Sequence, residues 1–172
     1  MGQRYFNFEI ADNSVRIYFG DWLMLLYYAK ELSYEKFISL FEASFSTNSF
    51  NEIAQNWVDI DSLFPLFKRK NNELVDSELV SFSTVMLNDA IQLIDLMIEN
   101  LKSEKTDLLV KYGGELSFIK MIDKDRIFFS LFLYENDTYL DNEFNIFMLQ
   151  LLKDKIFLKC LESKMPYVVY ID

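Results

Sequence analysis

The sequence predicts an α+β fold, with an antiparallel sheet from terminal hairpins packed against several helices, one of them long and central. Three observations lead there. The stretch Ser77–Lys102 lacks Gly and Pro and carries Leu79, Phe82, Met86, Ala90, Leu93, Met97 and Leu101 at spacings of three and four, the period of one helix face. Near the start, Phe6, Phe8 and Ile10 alternate with Asn7 and Glu9, as in a half-buried strand. Further on, Arg126–Tyr134 is apolar on both faces, which places it in the middle of a covered sheet. With 172 residues, a single domain over 1–172 is expected.

Taken in order, Tyr5–Ala11 and Val15–Phe19 form a hairpin around Asp12-Asn13-Ser14, a run of turn-favouring residues. Gly20-Asp21 ends the hairpin and supplies a helix cap. Trp22–Leu32 is apolar on nearly every side, the mark of a buried helix. Ser33 caps a second helix over Tyr34–Phe45, with Phe37, Leu40 and Phe41 inward. Asn51–Val58 reads as a short helix, and Pro65 falls near the start of a last turn over Leu63–Phe67. Lys68-Arg69-Lys70 is the one basic cluster and reads as a solvated loop. The long helix follows, capped by Asp76 or Ser77, with Glu78 where the helix dipole favours an anion. Its length would be about 39 Å at about 1.5 Å per residue.

Beyond it, Thr106–Tyr112 reads as a short strand and Gly113-Gly114 as a turn. Glu115–Ile122 and Arg126–Tyr134 pair around Asp123-Lys124-Asp125. Glu135–Glu143 is a polar loop. Phe144–Leu161 fits a helix through about Leu152, with Ile156–Leu161 open between helix and strand. Pro166 breaks the chain, and Tyr167–Ile171 is a closing strand.

Composition removes many functions. The chain has no histidine, which excludes histidine-based acid–base catalysis, Ser–His and Cys–His nucleophiles and histidine metal ligation. One cysteine, Cys160, allows no internal disulfide and leaves a zinc site almost without ligands. It lies in an apolar run and reads as a small core residue. Gly113-Gly114 lacks the lysine and the following helix of a phosphate-binding loop. The acidic loop Glu135, Asp137, Asp141, Glu143 lacks the central glycine of a calcium loop, and Tyr139 stands at a would-be ligand position. Asn136-Asp137-Thr138 matches a glycosylation sequon, taken as a chance match. The pairs Asp59 with Asp61 and Asp123 with Asp125 sit in turn-like sequence, where Asp serves local hydrogen bonding. No cofactor and no metal are therefore expected. No long apolar segment follows Met1, and no apolar run is long enough to span a bilayer, so a cytoplasmic protein without membrane association is expected.

Charge is the positive signal. The formal net charge is −10, which disfavours nucleic acid and favours a basic protein partner. From Asn71 to Leu101 there is no Lys or Arg, while Glu73, Asp76, Glu78, Asp89, Asp95 and Glu99 are acidic. The outer face of the long helix (Asp89, Asp95, Glu99) and the loop residues Glu135, Asp137, Asp141 and Glu143 are the candidate partner-binding residues.

In size, acidity, lack of histidine and lack of catalytic motifs, the sequence resembles the immunity proteins of bacterial toxin systems, including contact-dependent inhibition systems. The resemblance is one of class and carries no signature residues. It implies a small protein that blocks a cognate toxin, most often a nuclease, by covering its basic active site. Two other readings stay open at this level: an enzyme working through carboxylates or tyrosine, and a structural or adaptor domain.

Overall fold

The computed structural model describes residues 4–54, 78–114, 117 and 141–172, without the side chains of 51–54. The fold is α+β. Strands β1 (Tyr5–Ile10) and β2 (Asn13–Tyr18) form the expected hairpin, with Phe6 opposite Ile17 and Phe8 opposite Val15. The turn holds Ala11 at a φ of 50°, in the left-handed region. The closing strand β3 (Val168–Ile171) adds antiparallel to the other side of β1, giving the order β2-β1-β3. The first and last strands thus meet in one sheet, as expected. Alternation decides its faces: Phe6, Phe8, Ile10, Val15, Ile17 and Val169 are buried.

Helix α1 (Phe19–Leu32) starts directly after β2, earlier than the sequence suggests. Asp21 therefore lies in its first turn and is not the cap. Every residue from Phe19 to Ala29 is buried, in keeping with the all-round apolar pattern. Helix α2 (Tyr34–Ala43) has the predicted cap: Ser33 Oγ accepts from the Lys36 backbone N–H at 3.4 Å. Helix α3 (Thr47–Ala54) begins four residues before the expected Asn51. The remainder of that expected helix, the turn near Pro65 and the basic cluster Lys68–Lys70 lie outside the described residues.

The long helix is α4 (Thr84–Ser103), 20 residues and about 30 Å long. Its cap is Ser83, whose Oγ accepts from the Met86 N–H at 3.1 Å, so Asp76 and Ser77 do not cap it. The residues ahead of it are extended. Val80 N–H donates to the Tyr167 carbonyl at 2.8 Å, and Val169 N–H donates to the Glu78 carbonyl at 2.9 Å. Glu78 accordingly sits beside β3 rather than at a helix dipole. Pairing with β3 wins because it buries Val80 fully and satisfies backbone groups along that edge, whereas Ser81, Ser83 and Thr84 add little helix propensity. Met86, Ala90, Leu93, Met97 and Leu101 are buried as the expected stripe requires, and Leu87, Ile94 and Ile98 are buried beside them.

Thr106–Tyr112 is not a strand. Leu108–Lys111 form a single helical turn, α5, closed by Tyr112 N–H donating to the Leu108 carbonyl at 2.9 Å. Gly113 and Gly114 follow at φ of 81° and 93°, a turn that glycine takes without strain. The hairpin expected over Glu115–Tyr134 lies outside the described residues, except that Ser117 is helical. Helix α6 (Asn142–Leu151) takes in the end of the expected polar loop. It continues as a π-helical stretch (Leu152–Phe157) and then as α7 (Leu158–Ser163). This accounts for the ambiguous spacing. A π turn is wider than an α turn and shifts the apolar spacing away from the 3.6-residue period, while Leu152, Ile156, Phe157 and Cys160 all reach the core. Lys164, at a φ of 54°, ends α7.

One continuous core joins the buried face of the sheet to α1, α2, α4 and the π stretch. Its lining is aromatic: Phe6 stacks on Phe19 at 5.2 Å between ring centroids, and Phe8 meets the Trp22 ring edge-on at 5.9 Å. Behind it a hydroxyl network ties α2 and α3 to β3. Ser46 Oγ donates to the Val169 carbonyl at 2.6 Å and lies 3.0 Å from Ser49 Oγ, while Tyr167 OH donates to the Ala43 carbonyl at 2.5 Å.

Candidate functional site

Successive residues on a helix are turned by 100°, so Asp89 and Asp95 lie about 120° apart around α4, with Glu99 between them. The neighbours of α4 decide what each carboxylate does. On one side α2 brings Lys36, whose Nζ lies 3.5 Å from Asp89 Oδ1 and donates to Gln92 Oε1 at 2.8 Å. On the other side the π stretch brings Lys153, whose Nζ lies 2.6 Å from Asp95 Oδ1. Glu99 is exposed and has no ion-pair partner among the described residues. The outer strip of α4 also holds the 70%-exposed Val85, together with Asn88 and Gln92. The three candidate carboxylates therefore do not form one acidic stripe: two flank the helix as intramolecular ion pairs.

The C-terminal end of α4 gathers more acid. An open cleft of about 460 Å³ lies between the segment following α4 and the start of α6, lined by Leu101, Lys102, Glu104, Lys105, Thr106 and Asp107 from one side and by Asp141, Asn142, Glu143 and Ile146 from the other. Two of the candidate loop residues, Asp141 and Glu143, thus lie in the cleft wall; Glu135 and Asp137 lie outside the described residues. Local structure fixes this placement. Asp141 caps α6, its Oδ1 accepting from the Phe144 N–H at 2.8 Å. Asp107 Oδ1 accepts from the Asn142 N–H at 3.0 Å, and the Asn142 amide donates to the Thr106 carbonyl at 2.8 Å. Glu143 occupies the first turn of α6, where a carboxylate is favoured. Glu104 is paired with Lys111 across α5. Sequence reading misses Glu104 and Asp107, because the short α5 that brings them opposite Asp141 reads as a strand.

A second cluster carried no sequence signal. Tyr112 OH donates to Glu31 Oε2 at 3.2 Å, and Tyr27 meets the Tyr112 ring edge-on at 5.6 Å. The Lys30 and Lys111 ammonium groups lie over the Tyr27 and Tyr28 rings at 5.3 and 5.4 Å. Burial, reinforced by Glu104 and Glu31, pushes the Tyr28 phenol up to about 12, and burial with Glu31 pushes Tyr112 higher still. These tyrosines stay protonated at neutral pH, and their arrangement fastens the segment after α4 onto α1. Cys160 is fully buried and burial raises its thiol to about 11, as befits a packed side chain.

Among the described residues, no group of three or more Asp, Glu or Cys side chains could hold a metal ion. Nor is any helix among them long and apolar enough to cross a membrane. The class these features define is an acidic, histidine-free α+β protein with a cleft, lined by four carboxylates and two lysines, where its long helix ends. Neither the known family models, nor the curated proteins, nor the solved structures yield a match to this chain.

Proposed function

We propose that this chain is a binding protein that neutralises a basic protein partner, and that the partner is a bacterial toxin domain, a nuclease, whose active site it covers in the cytoplasm. The observation that carries the reading is the convergence of Glu104, Asp107, Asp141 and Glu143, from two distant stretches of chain, on the walls of one open cleft, where they outnumber Lys102 and Lys105 even with Glu104 paired to Lys111. A net charge of −10 adds long-range attraction for a basic surface, and repulsion from nucleic acid makes an acidic inhibitor compatible with a nuclease partner. Asp89 and Asp95, each neutralised by a neighbouring lysine, contribute little to either the field or direct contact. Glu99 and Glu143, both exposed, are better placed for contact.

The test is to co-express the chain with the toxin domain encoded beside it and to measure nuclease activity and association rate. Stoichiometric loss of activity is expected. The double variant Glu99→Gln and Glu143→Gln should associate about tenfold more slowly and show a flatter salt dependence. Failure of the native chain to bind the purified domain at low salt would sink the reading.

A further inference from the structure

Helix α6 carries two features that packing does not use. Phe144 and Phe147 are 41% and 52% exposed, and their rings lie 6.3 Å apart as a pair on the outer surface. About half of each ring faces solvent, while α6 meets the core through Asn145, Met148 and Leu149. The surroundings of the pair are acidic. Asp141 and Glu143 stand in the turn where α6 begins, and Asp154 is exposed on the stretch beyond Leu151. In the adjoining cleft Glu104, Asp107, Asp141 and Glu143 outnumber Lys102 and Lys105. Of the lysines that follow α6, Lys153 is held by Asp95, and Lys155 is exposed.

We propose that the outer face of α6, centred on Phe144 and Phe147, is the apolar centre of the partner-binding surface, and that its occupant is a protein segment presenting arginine or lysine beside aliphatic side chains. This rests on the function proposed above and deepens it. Charge complementarity selects the occupant: the acidic rim attracts cations, and aromatic ring faces accept guanidinium or ammonium groups as well as aliphatic carbon. Buried aromatic residues inside a polar rim are the usual energetic centre of such a surface. The adjoining carboxylate-lined cleft then receives the cationic side chains at the edge.

Two synthetic peptides of equal positive charge test this, one an amphipathic arginine–leucine helix and the other arginine–serine. Binding of each to the full chain is followed by fluorescence anisotropy at 0.05 and 0.15 M salt. The native chain should bind the arginine–leucine peptide at least about tenfold more tightly than the arginine–serine peptide. Phe144→Ser with Phe147→Ser should remove that preference while leaving weak, salt-sensitive binding to both. Circular dichroism must show the variant folded, and Phe147→Ser alone, at the more exposed position, serves if the double variant is not. Equal binding of the two peptides, unchanged by the Phe substitutions, overturns this inference and leaves the proposed function standing. Binding of neither peptide overturns both. Concentration-dependent dimerisation that Phe147→Ser abolishes would assign the face to a second copy of this chain and overturn the inference as well.

Discussion

Charge reversal at Asp95 separates structural from recognition use of the long helix. Lys153 Nζ stands 2.6 Å from Asp95 Oδ1, with the lysine side chain 21% and the aspartate side chain 52% exposed. Half-exposed pairs of this kind are worth about 0.2–1 kcal/mol after solvent screening. Asp95→Lys removes that attraction and sets two ammonium groups against each other, a repulsion of similar size, so the loss is about 1 kcal/mol. In a domain of this length that lowers Tm by about 2–4 °C. Glu99→Lys, on the same helix with no ion-pair partner among the described residues, should shift Tm by less than about 1 °C. Differential scanning calorimetry at 0.05 M salt measures both. The compensating swap, Asp95→Lys with Lys153→Asp, should recover most of the loss, and 0.5 M salt should shrink the difference between single variants. If Asp95→Lys melts no lower than Glu99→Lys, the ion pair contributes nothing in solution, and Asp95 returns to the set of carboxylates open to a partner.

Three further outcomes follow from the packing. Ser46→Ala should cost about 1–3 kcal/mol in urea unfolding, because it leaves the buried Val169 carbonyl without its donor; a loss below about 0.5 kcal/mol would show that water replaces the hydroxyl. Gly113→Ala should destabilise more than Gly114→Ala. Both need a positive φ, but an added Cβ at Gly113 meets Ser117 Cβ at 3.2 Å whereas the space around Gly114 is open; equal thermal shifts would contradict this. The buried tyrosines fix the sign of alkaline instability. An unfolded tyrosine loses its proton near 10 and Tyr28 near 12, so the native state retains protons that the unfolded chain releases. Their contribution is complete below pH 10 and declines as pH rises towards 12. Absorbance at 295 nm should show Tyr28 and Tyr112 ionising only with unfolding, and early, fully reversible ionisation of every tyrosine would refute it.

Where the sequence pattern is long and periodic, the structure follows it. The apolar stripes of α4, the hairpin β1–β2, the Ser33 cap and the closing strand were all legible, because burial of one face dictates each of them. The errors fall where a short segment has two ways to satisfy its apolar residues. Leu79 and Val80 fit a helical pattern, yet the backbone there bridges to β3 at Val168, a partner about 90 residues away that no local pattern reveals. Leu108–Val110 is β-like in composition but folds as one helical turn, with Leu108 buried. The stretch after Leu151 looked ambiguous because it is a π turn, a geometry that neither the 3.6-residue nor the two-residue template describes.

The same limit governs the candidate site. A run without Lys or Arg along the chain is a one-dimensional statement, whereas the potential at a surface depends on what neighbouring elements bring to it. Lys36 is 53 residues from Asp89, and Lys153 is 58 residues from Asp95, so helix packing supplies the cations that the run itself lacks. An amphipathic helix makes this outcome general. Carboxylates at the margins of its polar face stand beside flanking helices and attract their lysines, while only residues on the midline remain open to solvent. On α4 that midline holds Val85, Asn88, Gln92 and Glu99, a single carboxylate. Acidic groups gather instead where chain segments end and start: Asp107, Asp141 and Glu143 stand at helix N-termini, which favour acids, and Glu104, at the C-terminal end of α4, is paired with Lys111. The exposed aromatics Phe144 and Phe147 lie beside that junction and not on the long helix, so apolar contact and negative charge coincide at the start of α6. A partner that needs both would choose that end of the molecule over the face of α4.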